Sequence, residues 1–135
     1  MSFKVKATPE GRAVLQFADE PAYCHALEAA PGVREPMLEQ GRWLVVAFAR
    51  WSQHDIRDVQ AAIDAARHFG GALQLGVRPY DDPDEHRTWL PEVSEEPGTP
   101  AWALLQDGVV RHHGSGPLSR DALIEKIQTH LGVPA

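Results

Sequence analysis

Ser52, Gln53, His54 and Asp55 stand between an apolar run, Trp43 to Ala49, and a stretch of helical periodicity, and they include three side-chain types used in nucleophilic catalysis. Such a set performs acyl transfer only when an imidazole nitrogen reaches the serine hydroxyl and a carboxylate orients the ring. Here serine and histidine are two residues apart at the expected first turn of a helix, where such neighbours project on different sides, so hydrolysis is not expected. The same residues fit a helix start, whose unpaired N–H groups and dipole favour the oxygens of Ser52 and Asp55. They also fit a contact surface, because Trp51 and His54 would set an exposed aromatic beside polar groups.

The remaining reactive residue types are scattered. Cys24 is the single cysteine, so it forms no internal disulfide, and a lone thiol suits a reducing compartment. Beside Tyr23 and Leu27 in an expected first helix, with only His25 as a nearby cation, it reads as an inert thiol. His112 and His113 are adjacent, and neighbours in a strand face opposite ways, which is poor geometry for one metal ion. No metal and no cofactor are expected.

Net charge is -6, with acidic residues gathered at Asp81, Asp82, Asp84, Glu85, Glu92, Glu95 and Glu96, so a nucleic-acid surface, which needs a basic patch, is not expected. The start, Met1 to Lys6, lacks a following apolar stretch of the kind a signal peptide or membrane span requires. The expectation is a soluble cytoplasmic protein without a membrane partner. At 135 residues and 43% hydrophobic, the chain suits one domain with a single core, spanning 1–135.

The elements that must position these residues follow from periodicity and breakers. Ala13 to Phe17 reads as a strand, and Asp19-Glu20-Pro21 as the start of a helix through Ala30, stopped by Pro31-Gly32. Val33 to Gln40 reads as a short helical turn. The unbroken apolar run Trp43 to Ala49 is the pattern of a strand covered on both faces. Ile56, Val59, Ile63 and Ala66 fall three or four apart on a helix from Gln53 to Phe69, ended by Gly70-Gly71. Leu73 to Val77 is a second buried strand, so strand, helix and strand require a parallel crossover. Asp82 to Glu85 starts a short helix limited by Pro91. Asp107-Gly108 joins strands Ala101 to Gln106 and Val109 to His113 in a tight hairpin. Ser119 caps a last helix with Leu123, Ile124, Ile127 and Leu131 buried, ending at Gly132.

From Trp43 to Leu131 this order resembles the thioredoxin-like superfamily. The resemblance rests on the strand ending at Ala49 with Trp51, on Thr99-Pro100 before a strand, on the Asp107-Gly108 turn and on Gly116-Pro117-Leu118-Ser119. It implies an α/β fold with a central mixed sheet of about five strands flanked by helices, a core from 43 to 131, and an N-terminal strand and helix region over 1–40. It further implies a cis bond before Pro100, placed beside Ser52. Where the family carries Trp-Cys-x-x-Cys, this chain has Trp51-Ser52-Gln53-His54-Asp55. The family's buried aspartate and its lysine match Val46 and Gln74.

A hydroxyl and a carboxylate cannot replace a thiolate in disulfide exchange, so disulfide reductase activity is not expected, and whether the chain is an enzyme at all stays open. The resemblance implies instead a redox-inactive protein that binds another polypeptide as a chaperone, adaptor or assembly factor. Its groove would comprise Trp51, Ser52, Gln53, His54, Asp55, Thr99 and Pro100. The triplet Ser52-Gln53-His54 also resembles a group of bacterial thioredoxin-like co-chaperones fused to helical repeats. The alternative is a thiol- or glutathione-linked enzyme using Ser52 or Cys24. A homodimer covering the aromatic edge is a further option.

Overall fold

The apolar run Trp43 to Ala49 is buried throughout because it lies at the centre of a five-stranded sheet. The computed structural model describes residues 3–7, 13–17, 23–27, 35–49, 52–80 and 98–133, with the single positions Leu90, Val93 and Glu96. In chain order the elements are β1 (Phe3–Ala7), β2 (Ala13–Phe17), β3 (Cys24–Ala26), a 3-10 turn (Pro36–Glu39), β4 (Arg42–Ala49), α1 (Gln53–Phe69), β5 (Gln74–Tyr80), β6 (Ala101–Gln106), β7 (Val109–Ser115) and α2 (Arg120–Leu131).

The large sheet has the order β3-β5-β4-β6-β7. β4 runs parallel to β5 and antiparallel to β6, so both of its edges are paired. Its side chains alternate between two layers. Leu44, Val46 and Phe48 enter one cluster with Val59 and Ile63 of α1 and Leu123 and Ile127 of α2. Trp43, Val45, Ala47 and Ala49 enter the other, with Leu38 of the 3-10 turn and with Leu90 and Val93. A strand that feeds two cores has no face to spare for polar residues, which accounts for the unbroken apolar pattern.

Helices α1 and α2 start and stop where their sequences indicate. Ser52 and Ser119 are the N-caps, and Gly70 (φ 56°) and Gly132 (φ 64°) end the helices in the left-handed region. The hairpin turn uses φ 50° at Asp107 and 83° at Gly108, as a two-residue turn of the primed type requires. Its tip is tied back to the residue before β4. Gly41 N donates to Asp107 Oδ1 at 2.9 Å, and Asp107 N donates to the Gly41 carbonyl at 2.9 Å.

Two expectations for the N-terminal region are corrected. Strand 13–17 forms as expected, but it pairs with β1 in a separate two-stranded antiparallel sheet rather than in the large one. The fifth strand of the large sheet is instead Cys24–Ala26, which lies within the segment expected to be the first helix. Long-range pairing overrides the local helix-start signal there: Cys24 lies opposite Leu75 and Ala26 opposite Val77. Gly76 makes the approach feasible, since a Cβ at that position would sit 2.9 Å from Leu27 Cδ1. The helix expected from Asp82 lies outside the described residues. Among the described residues, no helix is long and apolar enough to cross a membrane.

Candidate functional site

Register alone brings most of the expected groove residues to one end of the sheet. β4 ends at Ala49, three residues before Ser52, and Ala101 pairs with Ala47, so Thr99 and Pro100 extend past that same end. The Thr99-Pro100 bond is cis, as the resemblance implied. Gly116 N donates to the Pro100 carbonyl at 3.0 Å, and Gly98 N donates to Ser115 Oγ at 3.2 Å, which fixes this loop to the end of β7. Thr99, Gln53 and His54 are exposed, whereas Pro100 and Asp55 are buried. Trp51 lies outside the described residues.

Ser52 and Asp55 are engaged with the backbone. Ser52 Oγ accepts from Asp55 N at 3.2 Å, and Asp55 Oδ2 accepts from Ala49 N at 2.8 Å. Ser52 N also donates to the Ala49 carbonyl at 3.1 Å. The arrangement is a stretched form of the capping box, in which the acid three residues into the helix reaches back past the cap to the end of the strand. Asp55 is 1% exposed, so its carboxylate is a buried strut between β4 and α1 rather than a reagent facing solvent. The serine oxygen is held by a helix N–H, not by a histidine.

Beneath the cap the surroundings are apolar. Val46 is fully buried, and the residue opposite it on β5 is Val77. Gln74, matched by resemblance to the family lysine, stands opposite Trp43 at the far end of β5, hydrogen-bonded to His25 Nε2 at 2.8 Å. A register three residues out of step separates the two positions. Cys24 is likewise remote. It is 1% exposed in the core, and it aligns through Leu75 with Leu44, five residues and roughly 17 Å along the strand from Ala49.

One residue of this end was not singled out in the sequence. Asp58, one turn after Asp55, lies close to the Leu118 backbone N–H in the segment before α2, which helps to offset the effect of its burial. Burial pushes its carboxyl above the ordinary value, with Asp55 adding to the rise, while the Leu118 N–H, His54 and Arg57 oppose it. Its spacing of three from Asp55 and four from His54 was the available signal.

No family model and no curated protein matches the sequence. Solved structures do. Thioredoxin-2, described as a component of the malaria parasite protein secretion machinery, superposes with a TM-score of 0.57 at 18% identity, over 67% of this chain and 84% of its own. A second malarial protein superposes at 0.55 and 20% identity, over 68% of this chain and 99% of its own. The chain has a thioredoxin-like fold.

Within that thioredoxin-like frame, the segment from Ser52 to Asp55 carries no thiol, and the single cysteine is at the other end of the sheet. The adjacent histidines of β7 face apart as expected. His112 stacks on His130 of α2 (ring centroids 4.0 Å, interplanar 9°), whereas His113 Nδ1 meets Glu96 Oε1. Among the described residues, no group of three or more His, Cys, Asp or Glu is arranged to hold a metal ion.

Proposed function

We propose that this protein is a binding module: a thioredoxin-fold protein that does not exchange disulfides and holds a segment of another polypeptide, as a chaperone, adaptor or assembly factor. The segment would lie on the sheet end carrying Ser52, Gln53, His54, Thr99 and Pro100, with Trp51 in the connection between β4 and α1. The observation that carries the reading is the use made of Ser52 and Asp55. Both are committed to capping α1 and tying it to β4, which leaves a rigid, thiol-free platform with exposed Gln53, His54 and Thr99 around it. A thiol- or glutathione-linked enzyme is less well supported, because Cys24 is buried far from this end and, among the described residues, no side-chain base hydrogen-bonds to Ser52 Oγ.

The test is affinity capture from a lysate of the native organism, comparing wild type with a Trp51→Ala, His54→Ala double variant of equal stability. A polypeptide held by the first and lost by the second is the expected result. Equal capture by both, or disulfide reduction by the wild-type protein, would remove the proposal. Sedimentation of both proteins distinguishes capture of a partner from self-association.

A further inference from the structure

A second concentration of chemistry lies on the α2 side of the sheet, between β7 and α2. A cleft of about 300 Å³ there is lined by Trp102, His112, Gly114, Ser119 and Lys126, among others. Gly114 shapes it. A Cβ at that position would come within 2.6 Å of Trp102 Cζ2, so the indole of β6 lies against bare β7 backbone. The Lys126 ammonium is 5.9 Å from the centre of the Trp102 ring, and His112 lies 5.4 Å from the same indole while stacking on His130.

In a chain of net charge -6, this wall gathers three groups that are or can become cations: Lys126, His112 and His130. The charged groups around them are few. On β7, His113 also borders the cleft, with its Nδ1 held by Glu96, and Arg111 is exposed. On α2, Glu125 is exposed beside Lys126 and borders the neighbouring depression with His130. Opposite His112, β6 offers Leu104 and Trp102, neither charged. Among the described residues, no carboxylate forms an ion pair with Lys126.

The stacked rings do not make a metal site, because the in-plane lone pairs of parallel imidazoles run side by side and do not converge on one ion. They do make two donors beside an ammonium, and proximity of like charges is offset most directly by an oxyanion. We propose that the cleft between β7 and α2 binds a small anionic ligand, its carboxylate or phosphate oxygens held by Lys126 and His112. His112 is held below its ordinary pKa by burial first, then by His130, Lys126 and His113, with Glu96 opposing. A bound anion reverses that balance, so binding takes up a proton and strengthens as the pH falls.

The test is a titration of the full chain with inorganic phosphate, 2-naphthoate and neutral 2-naphthamide, following the histidine ring resonances by NMR. Phosphate or naphthoate is expected to move the His112 and His130 signals and to bind at least about threefold more tightly near pH 6 than near pH 8. Lys126→Ala is expected to weaken that binding about tenfold, and Lys126→Arg to retain it. Binding of phosphate alone identifies a free inorganic oxyanion as the ligand type, and tighter binding of naphthoate an acid on an aromatic body. The proposal is overturned if naphthamide binds as well as naphthoate, if none of the three moves these signals at about 10 mM, or if Lys126→Ala changes nothing. It is independent of polypeptide capture at the Ser52 end.

Discussion

The start of α1 and the cleft beside α2 carry similar side chains, each joining a helix to a strand, yet they use them in opposite ways. At the start of α1, serine and aspartate oxygens are taken up by backbone N–H groups of the helix and of β4. Beside α2, Ser119 performs the same capping service on Ala122 N at 3.2 Å, but the histidines and lysine beyond it meet rings rather than counter-charges. A polar residue near a helix start is therefore no sign of chemistry until its hydrogen bonds are traced. The groups with capacity left over are on the edge that the sequence made look unremarkable.

The largest effect is expected at Asp55. Asp55→Ala leaves the buried Ala49 N–H without its acceptor and opens a void between β4 and α1, and should cost about 2–3 kcal/mol in urea unfolding. A cost no larger than that of a surface substitution would mean that the carboxylate is not the strut described. A smaller effect separates capping from any further role of Ser52. Ser52→Ala and Ser119→Ala should each cost about 1 kcal/mol, because each removes one N-cap acceptor. A Ser52 cost well above that of Ser119 would assign the first serine more than a cap.

The smallest effect is the dependence on acidity. His112 has its pKa lowered from 6.5 in the folded chain, so below that value the unfolded chain binds more protons and stability falls as the pH is lowered through the window. Asp58 acts in the opposite sense: its raised pKa means that stability declines as the pH rises from 3.8 towards the folded value. His112→Phe should therefore flatten the stability profile just below pH 6.5 while leaving the region where Asp58 titrates unchanged, as read from midpoints of thermal unfolding.

Much of the fold was legible because its central elements obey one period each. β4 is apolar at every position after Arg42 since both its faces are core, and α1 and α2 repeat their buried residues on helical spacing between clear caps and glycines. The third strand was not legible. It spans three residues, follows a convincing helix-start pattern, and owes its existence to β5, whose Gly76 admits Leu27 from far along the chain. At the candidate site, Ser52 as a cap and the cis bond before Pro100 could be anticipated, the first from residue type and the second from resemblance. The buried reach of Asp55 to Ala49 could not, because an acid in a first helical turn is ordinarily solvated. The contact of His112 with His130 joins a strand and a helix that share no local pattern, and only the folded chain brings them together.

The clasp between Gly41 and Asp107 bears on the order in which the protein assembles. These residues are 66 apart in sequence, and they close the segment 41–107 into a ring whose two ends become the neighbours β4 and β6. Closing so long a loop is slow relative to forming a helix or a hairpin. Until it closes, one edge of β4 has no neighbour, and its seven consecutive apolar residues, Trp43 to Ala49, are a segment of the kind that pairs with other chains. The strand that gives the finished protein its centre is thus also its main aggregation hazard during synthesis, and the hairpin tip that meets Gly41 is what ends the exposure.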